Sequence, residues 1–303
     1  MLAHTCQPCF AVTFAILVSW HVTAGGTERA TERQTPIFGG RPRFQERQAL
    51  VIPISDNPGP RRRFPLVNYA LILINVAVFV AEIVYGQCFQ FAFSSIPYAI
   101  THNVEVGLQG CPYGQPQPVY ITLLTSMFLH ANLLHIAGNM LYLWIFGDNV
   151  EDRLGHIGYL IFYLFCGLVA SAAQILVDPN SQLINLGASG AIAGVLAAYL
   201  IFYPGSRVRT LIFLGIFITF TTLPALIVIG LWFVLQLVSG LQSLNPQLVQ
   251  SGGVAYFAHV GGFVAGLVIA LILRLFLKPT LPPSRTSYPA WPQHPDYRNY
   301  GGY

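Results

Sequence analysis

Hydrophobic residues in this chain gather into long unbroken runs instead of marking one face of each element. Six such runs occupy residues 66–85, 133–146, 157–177, 189–203, 211–238 and 254–277. A helix rising about 1.5 Å per residue needs about 20 apolar residues to cross a hydrocarbon core of about 30 Å, so this pattern predicts membrane-spanning helices. Two runs depart from it. The run 189–203 is too short to cross alone, which places its first residue, Ser189, below a membrane surface with the preceding loop dipping in after it. The run 211–238 is too long for one crossing, and Pro224 predicts an interfacial or kinked part followed by a true span over 225–238.

Charge then orients the runs. Arg61, Arg62 and Arg63 precede the first; Arg153, Arg207, Arg209, Arg274 and Lys278 fall in every second connection after it. The alternate loops, 87–132, 178–188 and 239–253, hold no lysine or arginine. By the positive-inside rule this predicts six helices with both ends of the bundle in the cytoplasm. The 303 residues are 54% hydrophobic and 9% charged, with mean hydropathy +0.58, which excludes an ordinary soluble globule. The expected fold class is an all-α polytopic membrane protein surrounded by lipid bilayer, with no nucleic-acid partner; its oligomeric state is not written in the sequence.

Four segments follow. Residues 1–50 read as an N-terminal extension, signal-like or from a misassigned start: the apolar stretch 10–20 and Val22-Thr23-Ala24 look like a signal peptide, yet cleavage there would put the arginine triplet on the wrong side of the first span. Residues 51–64 form a cytoplasmic segment, 65–278 the six-helix domain, and 279–303 a Pro- and Tyr-rich tail expected to be disordered. Among the five cysteines, Cys88 and Cys111 share the first outer loop, where an oxidising compartment would permit a disulfide. Cys6 and Cys9 have CxxC spacing without a second pair, Cys166 reads as packing, and neither a metal nor a cofactor is expected.

Polar residues inside the runs are the candidates for chemistry, because they are costly in a membrane. Gly187-Ala188-Ser189-Gly190 opens the short run with a hydroxyl at a helix N-terminus, where free amides and the helix dipole favour negative charge. His135 and Asn139 are four apart and share one face of the second run; interhelical hydrogen bonding alone would also account for them. His259 lies about 8 Å inside the outer end of the sixth run. Ser189, His259, His135 and Asn139 should then sit at similar depth. Gly190 with Gly194, and Gly262 with Gly266, give two small-residue faces that should let the fourth and sixth helices touch. His130 reads as a structural hydrogen-bonding histidine, Glu82 as reaching the interface, and Glu151 and Arg153 as partners in a solvated turn.

These residues resemble the rhomboid intramembrane serine proteases, bacterial type. The resemblance rests on Gly187 to Gly190, on Ala258-His259-Val260-Gly261-Gly262 with Gly266, on His135 to Asn139, and on Glu151-Asp152-Arg153. It implies a six-helix rhomboid-like bundle with cytoplasmic termini in a bacterial inner membrane. It further implies that Ser189 is the nucleophile, His259 the general base and acid, and His135, Asn139 and the Ser189 N–H the oxyanion hole. No outer half-helix but the first carries a carboxylate, so a dyad and not a triad is expected. Many relatives have a tyrosine one turn after the serine, beneath the histidine; here Ala193 stands there, leaving Tyr256, Phe257 or packing alone to support the ring. Residues 51–58 resemble the amino-terminal start of bacterial members. The implied substrate is a transmembrane helix entering between the second and fifth helices beneath a movable 239–253 loop. The alternative class is a non-catalytic rhomboid-like protein that binds membrane clients; a transporter is disfavoured by the absence of an internal repeat.

Overall fold

A computed structural model describes residues 16–19, 48–58, 62–214, 217–244 and 254–277. The signal-like segment apart from 16–19, the CxxC pair, most of the 239–253 loop and the C-terminal tail lie outside the described residues. In chain order the elements are β1 (Ile16–Ser19), β2 (Gln48–Asp56), α1 (Leu66–Phe93), α2 (Pro97–His102), α3 (Thr122–Thr125), α4 (Leu133–Tyr142), α5 (Asp148–Leu154), α6 (His156–Val177), α7 (Ser189–Phe202), β3 (Arg207–Leu214), β4 (Phe217–Pro224), α8 (Ala225–Ser243) and α9 (Tyr256–Phe276). The helices α1, α6, α8 and α9 are each long and apolar enough to cross a membrane. A bent pair, Val119–Phe128 with Leu133–Leu154, is a fifth candidate span, and α7 is a shorter apolar helix. The chain is an integral, multi-pass membrane protein.

The short helix is the centre of the bundle. Twelve residues of α7, among them Ser189, Ala193, Leu196 and Phe202, are buried, so the helix is apolar all round because it has neighbours all round. Against it α9 lies backbone on backbone. A Cβ added to Gly262 would strike the Gly190 carbonyl, one added to Gly266 would strike Gly194, and the small residues Ala170 and Cys166 of α6 close the same seam. Only glycine permits that approach.

Side chains fix where the helices begin. Asn132 caps α4 through Oδ1, which accepts from the His135 amide at 2.9 Å. Gln174 of α6 accepts from the Ala258 amide in the first turn of α9. At the start of α1 the Glu151 carboxylate accepts from the amides of Val67 and Asn68, at 2.9 and 2.7 Å, and Asp152 accepts from those of Arg62 and Arg63. The expected solvated Glu151–Arg153 pair is therefore corrected: Glu151 is fully buried and is bonded to the amide-rich end of a helix, while Arg153 lies over the Phe202 ring. Glu82 also differs from expectation. It is 6% exposed and accepts from the His130 amide, because the 126–132 segment folds back over α1.

The first long run, read as 66–85 followed by a loop, continues as helix to Phe93 after a break at Gly86, where φ is +73°. Cys88 and Cys111 are joined in a disulfide that ties this extension to the following loop.

An all-α fold is the main expectation that fails. The strands form one antiparallel sheet in the order β1-β2-β3-β4, with Val51 opposite Ile212 and Arg207 opposite Pro224. The reason is in the residues: Arg207-Val208-Arg209-Thr210 alternates with period two, and Val208 and Thr210 are fully buried while the arginines face out. An open sheet has an unpaired edge that hydrocarbon cannot satisfy, and within the run 211–238 it is α8 that is long and apolar enough to cross a membrane. Residues 51–56 are part of this sheet. Asp56, at its end, accepts from the Tyr199 hydroxyl at 2.7 Å and the Asn149 amide at 2.9 Å, tying the sheet to the Phe202 end of α7.

Candidate active site

At the other end of α7, Ser189 is the first helical residue, so the amides of its first turn have no acceptor within the helix. Gly187 makes the entry possible. Its φ of +126° is foreign to L side chains, and its amide is held by the Ser126 carbonyl at 2.8 Å. A Cβ there would lie 2.9 Å from His135 Cε1 and 3.6 Å from Ser189 Oγ, so the missing side chain leaves a small opening between imidazole and hydroxyl.

His259 comes from the first turn of α9 and is buried. Its Nε2 is 2.7 Å from Ser189 Oγ, a hydrogen bond between residues 70 apart in sequence. The Gly190–Gly262 and Gly194–Gly266 contacts one and two turns further in hold the two helices at the spacing this bond requires.

His135 flanks the opening from α4. The Ala131 amide donates to His135 Nδ1 at a long 3.4 Å, which leaves Nε2 as the ring nitrogen that carries hydrogen. Asn139, one turn later on the same face, is fully buried, and both polar atoms of its amide lack a hydrogen-bond partner among the described residues. A buried amide left unpaired costs about 1–3 kcal/mol, which a protein retains where the group has an occasional partner. A cavity of about 30 Å³ adjoins Ser189, with Ser126, Ser171, Gln174 and Asn185 in its wall; its size suits a water molecule.

The ring support left open by Ala193 comes from α8. Trp232 lies with its ring 5.8 Å from the imidazole, and Gln236 Oε1 is 2.7 Å from His259 Nδ1. Sequence reasoning missed both. Gln236 carried a signal all the same, as the one polar side chain in the apolar stretch 225–238. His130, fully buried, packs its ring against those of Phe79 and His135. It serves the site through its backbone, held by Glu82 and Gln90.

Fold and site together define a class: a multi-pass helical membrane protein whose interior holds a serine hydrogen-bonded to a histidine from another helix, beside an unpartnered buried amide. This chain belongs to the rhomboid family, since the Rhomboid domain family model matches residues 117–276, just over half its length. It is similar to the chloroplastic rhomboid-like protein 11 of Arabidopsis thaliana, 32% identical over 47% of this chain and 44% of the relative. It is also similar to the rhomboid protease GluP of Bacillus subtilis (strain 168), 33% identical over 48% of this chain and 24% of the relative. The mitochondrial presenilin-associated rhomboid-like protein of Homo sapiens is 38% identical over 34% of this chain and 27% of its own length. The matched region thus spans less than half of each relative, and these relatives come from chloroplasts, mitochondria and a bacterium.

Proposed function

We propose that this chain is an intramembrane serine endopeptidase that cuts transmembrane helices near the outer face of the membrane. The observation that carries this is the 2.7 Å contact between Ser189 Oγ and His259 Nε2 at the N-terminus of a buried helix. A serine hydroxyl attacks an amide only when a base takes its proton, and a neutral imidazole at this distance can do so. Ser189 Oγ bonds to the substrate carbonyl carbon as His259 Nε2 takes its proton. The carbonyl oxygen becomes an oxyanion, which His135 Nε2–H, the Asn139 amide and the Ser189 N–H would stabilise from the opening beside Gly187. The C–N bond then breaks, and His259 returns the proton to the departing amine. Water attacks the ester, His259 accepts its proton, and Ser189 recovers it as the acid product leaves. The small cavity beside Ser189 is a suitable store for that water.

The arginine pattern supports six spans with Ser189 toward the outer side, in a bacterial inner membrane, and the similarity to a bacterial rhomboid protease supports the chemistry. A substrate helix has to unwind before its backbone can reach Ser189, which favours small and helix-breaking residues at the scissile bond. Partners are therefore transmembrane proteins. The decisive experiment reconstitutes wild type, Ser189→Ala and His259→Ala in liposomes with a single-span substrate, alongside labelling by a fluorophosphonate. Cleavage and labelling by wild type, lost in both variants while all remain folded, is the expected result. Cleavage that survives Ser189→Ala, or a folded wild type that neither cleaves nor labels, overturns it.

A further inference from the structure

α8 buries one face, running through Ala225, Val228, Ile229, Trp232, Gln236 and Gly240. Gln236 is out of place on that face. A primary amide that is 5% exposed in a membrane helix is costly unless paired, and its Oε1 is paired with His259 Nδ1 at 2.7 Å. Neutral imidazole carries one hydrogen. With an acceptor at Nδ1 the hydrogen sits there, and the Nε2 lone pair is left facing Ser189 Oγ. Trp232, one turn earlier on the same helix, lies 5.8 Å from the imidazole with its ring tilted 42° to it.

We propose that Gln236 is the positioning residue of this site: its carbonyl oxygen sets the tautomer and the plane of His259, making a Ser189–His259–Gln236 relay of orientation without a carboxylate. It adds no charge. Its effect on rate is therefore positional, through the fraction of His259 that presents a lone pair to the serine, and a wrong tautomer is as disabling as a displaced ring. Because Gln236 belongs to α8 while serine and histidine belong to α7 and α9, a shift of α8 by an ångström would disconnect the acceptor without touching the Ser189–His259 pair. The effect on rate rests on the protease reading; the tautomer does not.

The test is nitrogen NMR of the full chain, labelled with ¹⁵N-histidine in bicelles, with His259→Asn identifying the signal. In wild type His259 should carry its hydrogen on Nδ1. In Gln236→Leu, of similar volume but without an acceptor, that single tautomer should be lost, and kcat for a transmembrane substrate should fall about a hundredfold with KM unchanged. Gln236→Glu restores an acceptor and should restore both the tautomer and most of the rate. The proposal is overturned by hydrogen on Nε2 in wild type, or by Gln236→Leu keeping both wild-type tautomer and rate. The wild-type spectrum decides even where a variant fails to fold. A chain that cleaves nothing and resists fluorophosphonate refutes the protease reading and leaves the NMR result standing.

Discussion

Replacing Gly262 by alanine should separate the two helices that carry the serine and the histidine. A Cβ at this position falls 2.8 Å from the Gly190 carbonyl carbon and closer still to its oxygen, both backbone atoms that no rotamer change can move. Carbon atoms in ordinary contact stand about 3.5–4.0 Å apart, so α7 and α9 must part by about 1 Å here. Such overpacking costs about 1–3 kcal/mol of stability. The larger effect is on rate. The 2.7 Å bond between Ser189 and His259 lies one turn from the new methyl group, and a displacement of this size at a reacting pair costs about a hundredfold. Gly230→Ala is the control, because nothing lies within 4 Å of a Cβ there. It should be neutral or stabilising by up to about 1 kcal/mol from helix propensity. Thermal unfolding in detergent and cleavage of a transmembrane substrate would be measured on both. If Gly262→Ala melts with wild type and cleaves within twofold of it, the seam is not what sets the geometry and the reasoning fails.

Other outcomes follow from single contacts. Asn139→Ala should lower kcat by about 10²–10³ and leave the melting temperature unchanged or raised, since it removes an amide that has no partner in the resting protein; a lower melting temperature with an unchanged rate would make Asn139 a packing residue. His135→Ala should lower kcat to a similar extent, read in the same cleavage assay. Glu151→Ala should destabilise by about 3 kcal/mol or more, because it strips a buried acceptor from two amides of α1, and a melting curve within 1 kcal/mol of wild type would refute that role. Gly187→Ala should label poorly with fluorophosphonate, as its methyl would occupy the opening beside His135.

Each apolar run contains a helix, and the two glycine pairs meet as their spacing predicts, because both signals are local: length, hydropathy and the reach of a missing Cβ. In the run 211–238 the division at Pro224 was legible, with α8 starting at Ala225, but strand and span are equally apolar and only the alternation at Arg207 to Thr210 marked the strand. Glu151 and Arg153 were paired by proximity, yet residues two apart on a helix do not face one another, and the carboxylate found the free amides of a helix distant in sequence. Gln236 was hidden for a related reason. Nothing in a sequence says which polar residue of one span meets which of another, and the usual expectation for a histidine's partner is a carboxylate.

The seam between α7 and α9 is made almost wholly of main chain: Gly190 and Gly194 meet Gly262 and Gly266 with no side chain between them. Most helix pairs are spaced by side chains, so drift at one position can be absorbed by a compensating change across the contact. Here no shim exists to be exchanged. The gap between hydroxyl and imidazole is set by the thickness of the polypeptide itself. Substitution elsewhere can be answered by a change across the contact, whereas Gly262 and Gly266, where an added Cβ would meet main chain, have no neighbouring solution to which a lineage could step.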